Sequence, residues 1–149
     1  MRKVALALVL LTAGLAAGCG GGGGGDKDSD SDLSEQVQSA CDGSAIDVTS
    51  KLPPSFPQIE EDKLVYTQEA EVGPTQVVEG YFNGDVEEAH EEFQKELEAS
   101  GYDILFDEVE APDDSEISWK GEARTGQVAM RNECGDSDKT YVHITNRPA

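Results

Sequence analysis

An α+β fold is predicted for residues 33–149, with an antiparallel sheet of five or six strands in ββαβββ order and one amphipathic helix packed on one face. Short segments in which apolar and polar residues alternate recur through the second half of the chain. One segment instead has apolar residues at helical spacing, and turn sequences separate several of these segments. Alternation with period two indicates strands buried on one face only, and a helix of about four turns can cover that face.

The first two strands are predicted at residues 63–70 and 76–83. Both segments are rich in β-branched and aromatic residues, and Gly73-Pro74 lies between them. Glycine next to proline is a turn signal, so the two strands are expected to form a hairpin.

A helix is predicted to begin after Asp85. Glu88 stands three residues after this aspartate and completes a capping box, and Gly101 ends the helix. Acidic residues four apart on the other faces make this helix unstable in isolation, so the sheet must hold it. Four apolar residues at helical spacing form its predicted buried stripe: Val86, Ala89, Phe93 and Leu97.

Four further alternating segments predict the remaining strands, each with its apolar residues directed to the core. The third strand has Tyr102, Ile104 and Phe106, the fourth Ile117 and Trp119, the fifth Val128 and Met130, and the sixth Val142 and Ile144.

The segment before the first strand is predicted to be irregular. Residues 52–57 hold three prolines and favour an extended path into the sheet, and at most a short helical turn is expected at residues 34–37. The glycine run at 20–25 and the alternating Asp/Ser stretch at 26–32 predict a flexible tether over residues 19–32.

The first 18 residues have the pattern of an export signal. Arg2 and Lys3 precede an apolar run at residues 4–17, which is shorter than the roughly 20 residues that a membrane-spanning helix needs. The sequence Leu-Ala-Ala-Gly-Cys at 15–19 resembles the lipobox of bacterial cell-envelope lipoproteins. The resemblance implies that residues 1–18 are a lipoprotein signal peptide and that Cys19 is lipidated and becomes the mature N-terminus.

This resemblance implies that the protein is attached to a membrane on its exported side. Gly20 stands where family members held at an inner membrane have Asp, so the outer membrane is favoured if the source has one. The Leu-Pro-x-x-Phe-Pro sequence at 52–57 is also similar to small, uncharacterised envelope lipoproteins.

The chain has three cysteines, at positions 19, 41 and 134. Lipidation of Cys19 leaves an even pair in an exported, oxidising compartment, which favours a disulfide between Cys41 and Cys134. The alternative is two separately buried thiols.

The composition is strongly acidic, with 31 acidic and 11 basic residues in the whole chain. Removal of Arg2 and Lys3 with the signal leaves a net charge of −22. Nucleic acid is therefore excluded as a partner, and membrane contact is expected through the lipid alone.

Motifs for catalysis, cofactors or metals are missing from the sequence. His90-Glu91 begins like a zinc-protease helix, but Gln94 occupies the second ligand position, and His143 alternates with core residues and is expected to face solvent. A serine-nucleophile motif and a phosphate loop are not found, so neither an enzyme nor a cofactor is predicted.

The sequence therefore predicts a lipid-anchored, non-catalytic envelope protein that binds another envelope component. The alternative is a lipoprotein that binds a small ligand or a cation through its carboxylate-rich surface. An enzyme without a recognisable motif is a third, less favoured class.

Overall fold

The computed structural model describes residues 27–136 and 138–149, with side chains from residue 34 onward. The predicted signal peptide, Cys19 and the tether up to residue 26 lie outside the described residues. In chain order the elements are α1 (Lys27–Asp42), β1 (Leu64–Val72), β2 (Thr75–Asn83), α2 (Val86–Ala99), β3 (Asp103–Glu110), β4 (Asp114–Gly121), β5 (Arg124–Arg131) and β6 (Lys139–Pro148).

All six strands form one antiparallel sheet in the order β1-β2-β6-β5-β4-β3. The α2 helix connects β2 to β3, which lies at the opposite edge of the sheet. Strands β3 to β6 then return as a meander, and β6 pairs with β2. The prediction of an α+β fold built on an antiparallel sheet of this size is confirmed.

The α2 helix begins and packs as its sequence predicts. The Asp85 side chain accepts a hydrogen bond from the Glu88 backbone N–H, and the Glu88 side chain bonds the Asp85 backbone in return. All four residues of the predicted stripe are buried. Ala89, Phe93 and Leu97 pack on apolar residues from one face of the sheet, including Val78, Ile117, Trp119, Val128, Met130, Val142 and Ile144.

A second helix, α1, was not predicted, so the expected order lacks its first element and the single-helix description is wrong. The short turn predicted at residues 34–37 is part of a 16-residue helix that also includes residues 27–32 of the predicted tether. Val37, Ala40 and Cys41 have helical spacing, but three apolar residues give a weak signal. Their contacts with Tyr81 and Tyr141 lie on the face of the sheet opposite to α2.

The prediction that Phe106 of β3 points to the core is wrong. A β-bulge places Ile104 opposite Trp119 but Phe106 opposite Ser118, so Phe106 turns away from the core and is 45% exposed. Tyr102 precedes the strand and is buried against Trp119, with ring centroids 5.1 Å apart.

The segment between α1 and β1 belongs to the folded structure. The Ile46 backbone N–H donates to the Tyr66 carbonyl at 2.8 Å, and the Asn146 side chain donates to the Lys51 carbonyl at 2.6 Å. Phe56 is buried against Trp119, with ring centroids 5.4 Å apart. This proline-rich segment therefore contributes directly to the main core.

Among the described residues, no helix has the length and apolar character needed to cross a membrane.

The two cysteines predicted to pair are bonded to each other, with Cα atoms 5.4 Å apart. Cys41 lies in the last turn of α1, and Cys134 lies in the loop between β5 and β6. The disulfide therefore fastens the helix that the sequence did not predict to the second half of the sheet.

Reduction of this disulfide should destabilise the protein. The bond closes a loop across 93 residues, for which the chain-entropy model gives an upper value of about 4 to 5 kcal/mol. Denaturant unfolding with and without a reductant measures this loss. A Cys41→Ala/Cys134→Ala double variant should not respond to the reductant, and equal stability of the unmodified protein under both conditions would contradict the prediction.

Candidate functional site

The face of the sheet opposite to α2 carries an aligned row of polar side chains. Glu116, Ala129, His143, Glu79 and Gln68 lie directly opposite one another on β4, β5, β6, β2 and β1. Directly paired residues point to the same face. Because Ala129 has only a methyl group, it leaves a hollow between Glu116 and His143, whose strands are about 10 Å apart.

The α1 helix covers part of this face and encloses a cleft of about 660 Å³, named here the α1 cleft. Its lining residues are Ser34, Gln36, Val37 and Gln38 from α1, together with Glu79, Glu116, Gln127, Ala129, Arg131, Glu133, Tyr141 and His143. Ten of these twelve residues have polar side chains, and both acidic and basic groups are among them.

Three kinds of contact hold α1 over the sheet. The first is the disulfide, and the second is the small apolar cluster that α1 forms with Tyr141 and Tyr81. The third is hydrogen bonding, which includes a bond of 2.7 Å from the Thr67 hydroxyl to the Ala40 carbonyl and the bonds from the Gln36 side chain to the Glu79 carboxylate. Since the α1 residues in these contacts lie at 36–41, it is the C-terminal part of the helix that is fastened.

Glu79 is the centre of the polar network on the floor of the cleft, and it is only 4% exposed. Gln36 donates from α1 to both carboxylate oxygens at 2.8 and 2.9 Å. The Tyr141 hydroxyl donates to Oε1 at 2.8 Å, and His143 Nδ1 lies 2.9 Å from the same oxygen. With its amide nitrogen facing Glu79, Gln68 donates to Oε2 at 3.1 Å.

These hydrogen bonds determine the charge of Glu79. Burial raises the pKa of its carboxyl group, but hydrogen bonds from His143, Gln36 and Tyr141 outweigh burial and hold the pKa below its ordinary value. An ionised carboxylate only accepts hydrogen bonds, so His143 Nδ1 bears a hydrogen and donates a hydrogen bond to Glu79. Burial, reinforced by the Glu79 carboxylate, raises the pKa of Tyr141 and keeps its hydroxyl a donor.

His143 was predicted to face solvent, and the structure agrees only in part. Its side chain lies on the side of the sheet away from the α2 core, but α1 half-buries it and Glu79 binds it. Sequence reasoning missed Glu79 altogether. In the sequence, Glu79 is marked only by its position next to the core residue Val78 in β2, which places it on the opposite face of the sheet. That position indicates a site only when α1 is known to cover this face.

A second polar cluster contains His90, predicted to be no ligand because its zinc motif is incomplete. His90 Nδ1 contacts the Ser115 hydroxyl, and Nε2 lies 3.0 Å from an Asp107 oxygen. Gln94 also donates to Asp107. His90 of α2 and Ser115 of β4 are both buried, and none of these residues lines the α1 cleft. The cluster therefore fixes α2 to β3 and β4.

Within the described ranges, no group of three or more histidine, cysteine, aspartate or glutamate side chains could hold a metal ion. Cys41 and Cys134 are bonded to each other, while His90 and His143 lie on opposite faces of the sheet. These four residues therefore do not converge on one point.

No protein-family model matches the sequence, and comparisons with curated proteins and with solved structures find no match either.

Glu79→Gln should destabilise the protein in a pH-dependent way. A folded-state pKa below that of the unfolded chain means that the ionised group stabilises the fold above about pH 4.3. This contribution is lost as the pH falls through the folded-state pKa. At pH 7 the variant should lose about 1 to 3 kcal/mol, because its amide leaves buried donors unpaired.

Denaturant unfolding at pH 7, 5 and 3 measures the free energy of unfolding of Glu79→Gln and of the unmodified protein. The difference between the two values should shrink towards pH 3. Glu116→Gln is the matched control on the same face, and it should change stability by less than about 0.5 kcal/mol. A constant difference between Glu79→Gln and the unmodified protein across this range would contradict the prediction.

Proposed function

We propose that the protein is a lipid-anchored, non-catalytic component of the cell envelope that binds another envelope component in the α1 cleft. In this proposal residues 1–18 are removed and Cys19 carries the lipid. The cleft itself is the observation that carries the binding role, because it is concave, polar and fastened by a disulfide before any ligand arrives.

Four side chains that line the α1 cleft support a binding role, because their polar groups are available to a ligand. The side chains of Gln127, Arg131, Glu116 and Glu133 make no hydrogen bond or ion pair with another described residue. Arg131 and Glu133 both act electrostatically on Tyr141, so charges of both signs lie near one wall of the cleft. A polar ligand with hydrogen-bond donors and acceptors complements such a surface.

The size of the cleft favours a small ligand as the envelope component. Small-molecule sites commonly measure about 300–1,000 Å³, and the α1 cleft lies within this range. The hollow at Ala129 gives the ligand room between Glu116 and His143. The proposal therefore has a second form, in which the envelope component bound in the α1 cleft is a small ligand, as in the alternative predicted from the sequence.

The non-catalytic part of the proposal is supported by the state of the groups that could transfer protons. Glu79 accepts hydrogen bonds from Gln36, Tyr141 and His143, and His143 uses Nδ1 to hold it. Both groups are engaged in the floor of the cleft. The Ser115 hydroxyl, beside His90, is buried under α2.

The proposed anchor would place the cleft close to the membrane. The described part of α1 begins at Lys27, eight residues after Cys19. Eight residues span at most about 28 Å when fully extended. A ligand in the α1 cleft would therefore be met near the membrane surface.

Cys19→Ala should abolish membrane attachment, because the acidic chain has no other expected means of binding a bilayer. Fractionation of cells expressing the full chain should move the variant from the detergent phase to the aqueous phase, or leave it unprocessed. The Cys41→Ala/Cys134→Ala variant is the control and should stay in the detergent phase. Unchanged partitioning of a Cys19→Ala chain from which residues 1–18 have been removed would refute the anchor.

Ala129→Phe should block the cleft, because a benzyl group fills the hollow between Glu116 and His143. A photo-reactive residue at position 127 of the full-length protein should give one discrete adduct in the native envelope, and Ala129→Phe should abolish it. Val77→Phe is the matched control on the same face outside the cleft, and it should leave the adduct intact.

The mass of the adduct separates the two forms of the proposal, since a small ligand adds little mass and a protein partner adds a whole chain. Thermal unfolding confirms that both phenylalanine variants fold. An adduct that persists in Ala129→Phe, or that also forms from position 71 near the end of β1, would count against the cleft.

A further inference from the structure

The two edges of the sheet differ in their cover. At the β1 edge, the Ile46 backbone N–H donates to the Tyr66 carbonyl, and Thr67 binds the Ala40 carbonyl. The chain from Ala40 to Ile46 therefore covers this edge at Tyr66 and Thr67. At the other edge, β3 pairs with β4 alone. Within the described residues, no other segment forms a backbone ladder along its outer side.

The β3 strand also exposes apolar side chains. Five large apolar residues are exposed in the described part of the chain, and three of them lie on β3: Leu105 at 59%, Phe106 at 45% and Val109 at 42%. An edge strand with unpaired backbone groups and exposed apolar side chains is a template for an added strand.

The charges on β3 select the kind of strand that can be added. Its acidic residues are Asp103, Asp107, Glu108 and Glu110, and it contains no lysine or arginine. Asp107 binds His90 and Gln94 on the α2 side, while the other three make no ion pair with a described residue. Their charges are therefore available to an incoming partner.

A second copy of the chain is a poor occupant of this edge. Antiparallel pairing of two β3 strands would bring glutamates close to glutamates, and like charges across strands are destabilising. The whole chain also has a formal net charge of −20, so two copies repel one another. A strand in which basic and apolar residues alternate would satisfy both the carboxylates and the exposed apolar groups.

The bulge limits where such a strand can pair. It lies between Ile104 and Phe106 and interrupts the regular ladder of β3. The regular part of the strand is therefore residues 106–110, which hold Phe106, Val109 and two glutamates. These five residues are named here the β3 edge.

We infer that the β3 edge is a second binding surface, which accepts an extended basic segment of a partner protein as a seventh strand. None of its residues lines the α1 cleft. The inference therefore goes beyond the proposed cleft function and does not depend on it.

The test uses the mature full-length protein in a neutral detergent and a synthetic peptide of alternating lysine and valine. Hydrogen–deuterium exchange should show at least tenfold slower exchange of amides in residues 106–110 when the peptide is bound. The same peptide with a central proline cannot complete a ladder and should give no such protection. A peptide of alternating glutamate and valine should not bind.

Charge-reversal variants separate the β3 edge from general attraction to an acidic protein. Glu108→Lys/Glu110→Lys should weaken peptide binding at least tenfold. Glu87→Lys/Glu91→Lys makes the same change of charge at two exposed glutamates of α2 and is the matched control, so binding should change less than twofold. Ala129→Phe, which fills the α1 cleft, should leave peptide binding and protection unchanged.

Three results would overturn the inference. The first is peptide binding without protection of residues 106–110, and the second is peptide binding that is equally sensitive to both double variants. The third is a concentration-dependent dimer, formed without peptide and lost in Glu108→Lys/Glu110→Lys, which would make a second copy the occupant. Unchanged exchange in β5 and β6 shows in every case that the variants are folded.

Discussion

The pairing of β2 with β6 is the constraint on which the rest of the structure depends. It joins the first hairpin to the last strand of the meander, and its register places Val78 opposite Ile144 and Glu79 opposite His143. One register therefore builds the apolar core on one face and the polar floor of the cleft on the other. A slip of one residue would turn Glu79 into the core and expose Val78, so both faces select the same pairing.

The elements that could be predicted are those whose signals are local. The Asp85 capping box and the stripe containing Phe93 lie within 14 residues, and the sheet only has to receive the helix they predict. The wrong placement of Phe106 has a different origin. A bulge depends on how β3 fits against β4, and simple alternation of Ile104 and Phe106 contains no sign of it.

The candidate site could not be predicted because its residues are far apart in the sequence and form a network only in the folded structure. Glu79 is one of 31 acidic residues, and nothing near it in sequence sets it apart. Gln36 reaches it from 43 residues away and His143 from 64 residues away. The pairing of Cys41 with Cys134 was the one predictable contact in this region, because cysteine counting needs no geometry. It implied that the N-terminal segment is held against the sheet, but not that this segment is a helix.

The position of α1 links the proposed anchor to the cleft. The helix is the described element nearest to Cys19, and it also forms one wall of the α1 cleft. Any pull from a lipid-anchored tether would therefore act first on α1, whose apolar contacts with the sheet are few. The disulfide lies at the C-terminal end of this helix and covalently transfers such a pull to the loop after β5. Gln36 lies between the tether and that bond, so its hydrogen bonds to Glu79 are the contacts that tension would test before the disulfide bears the load.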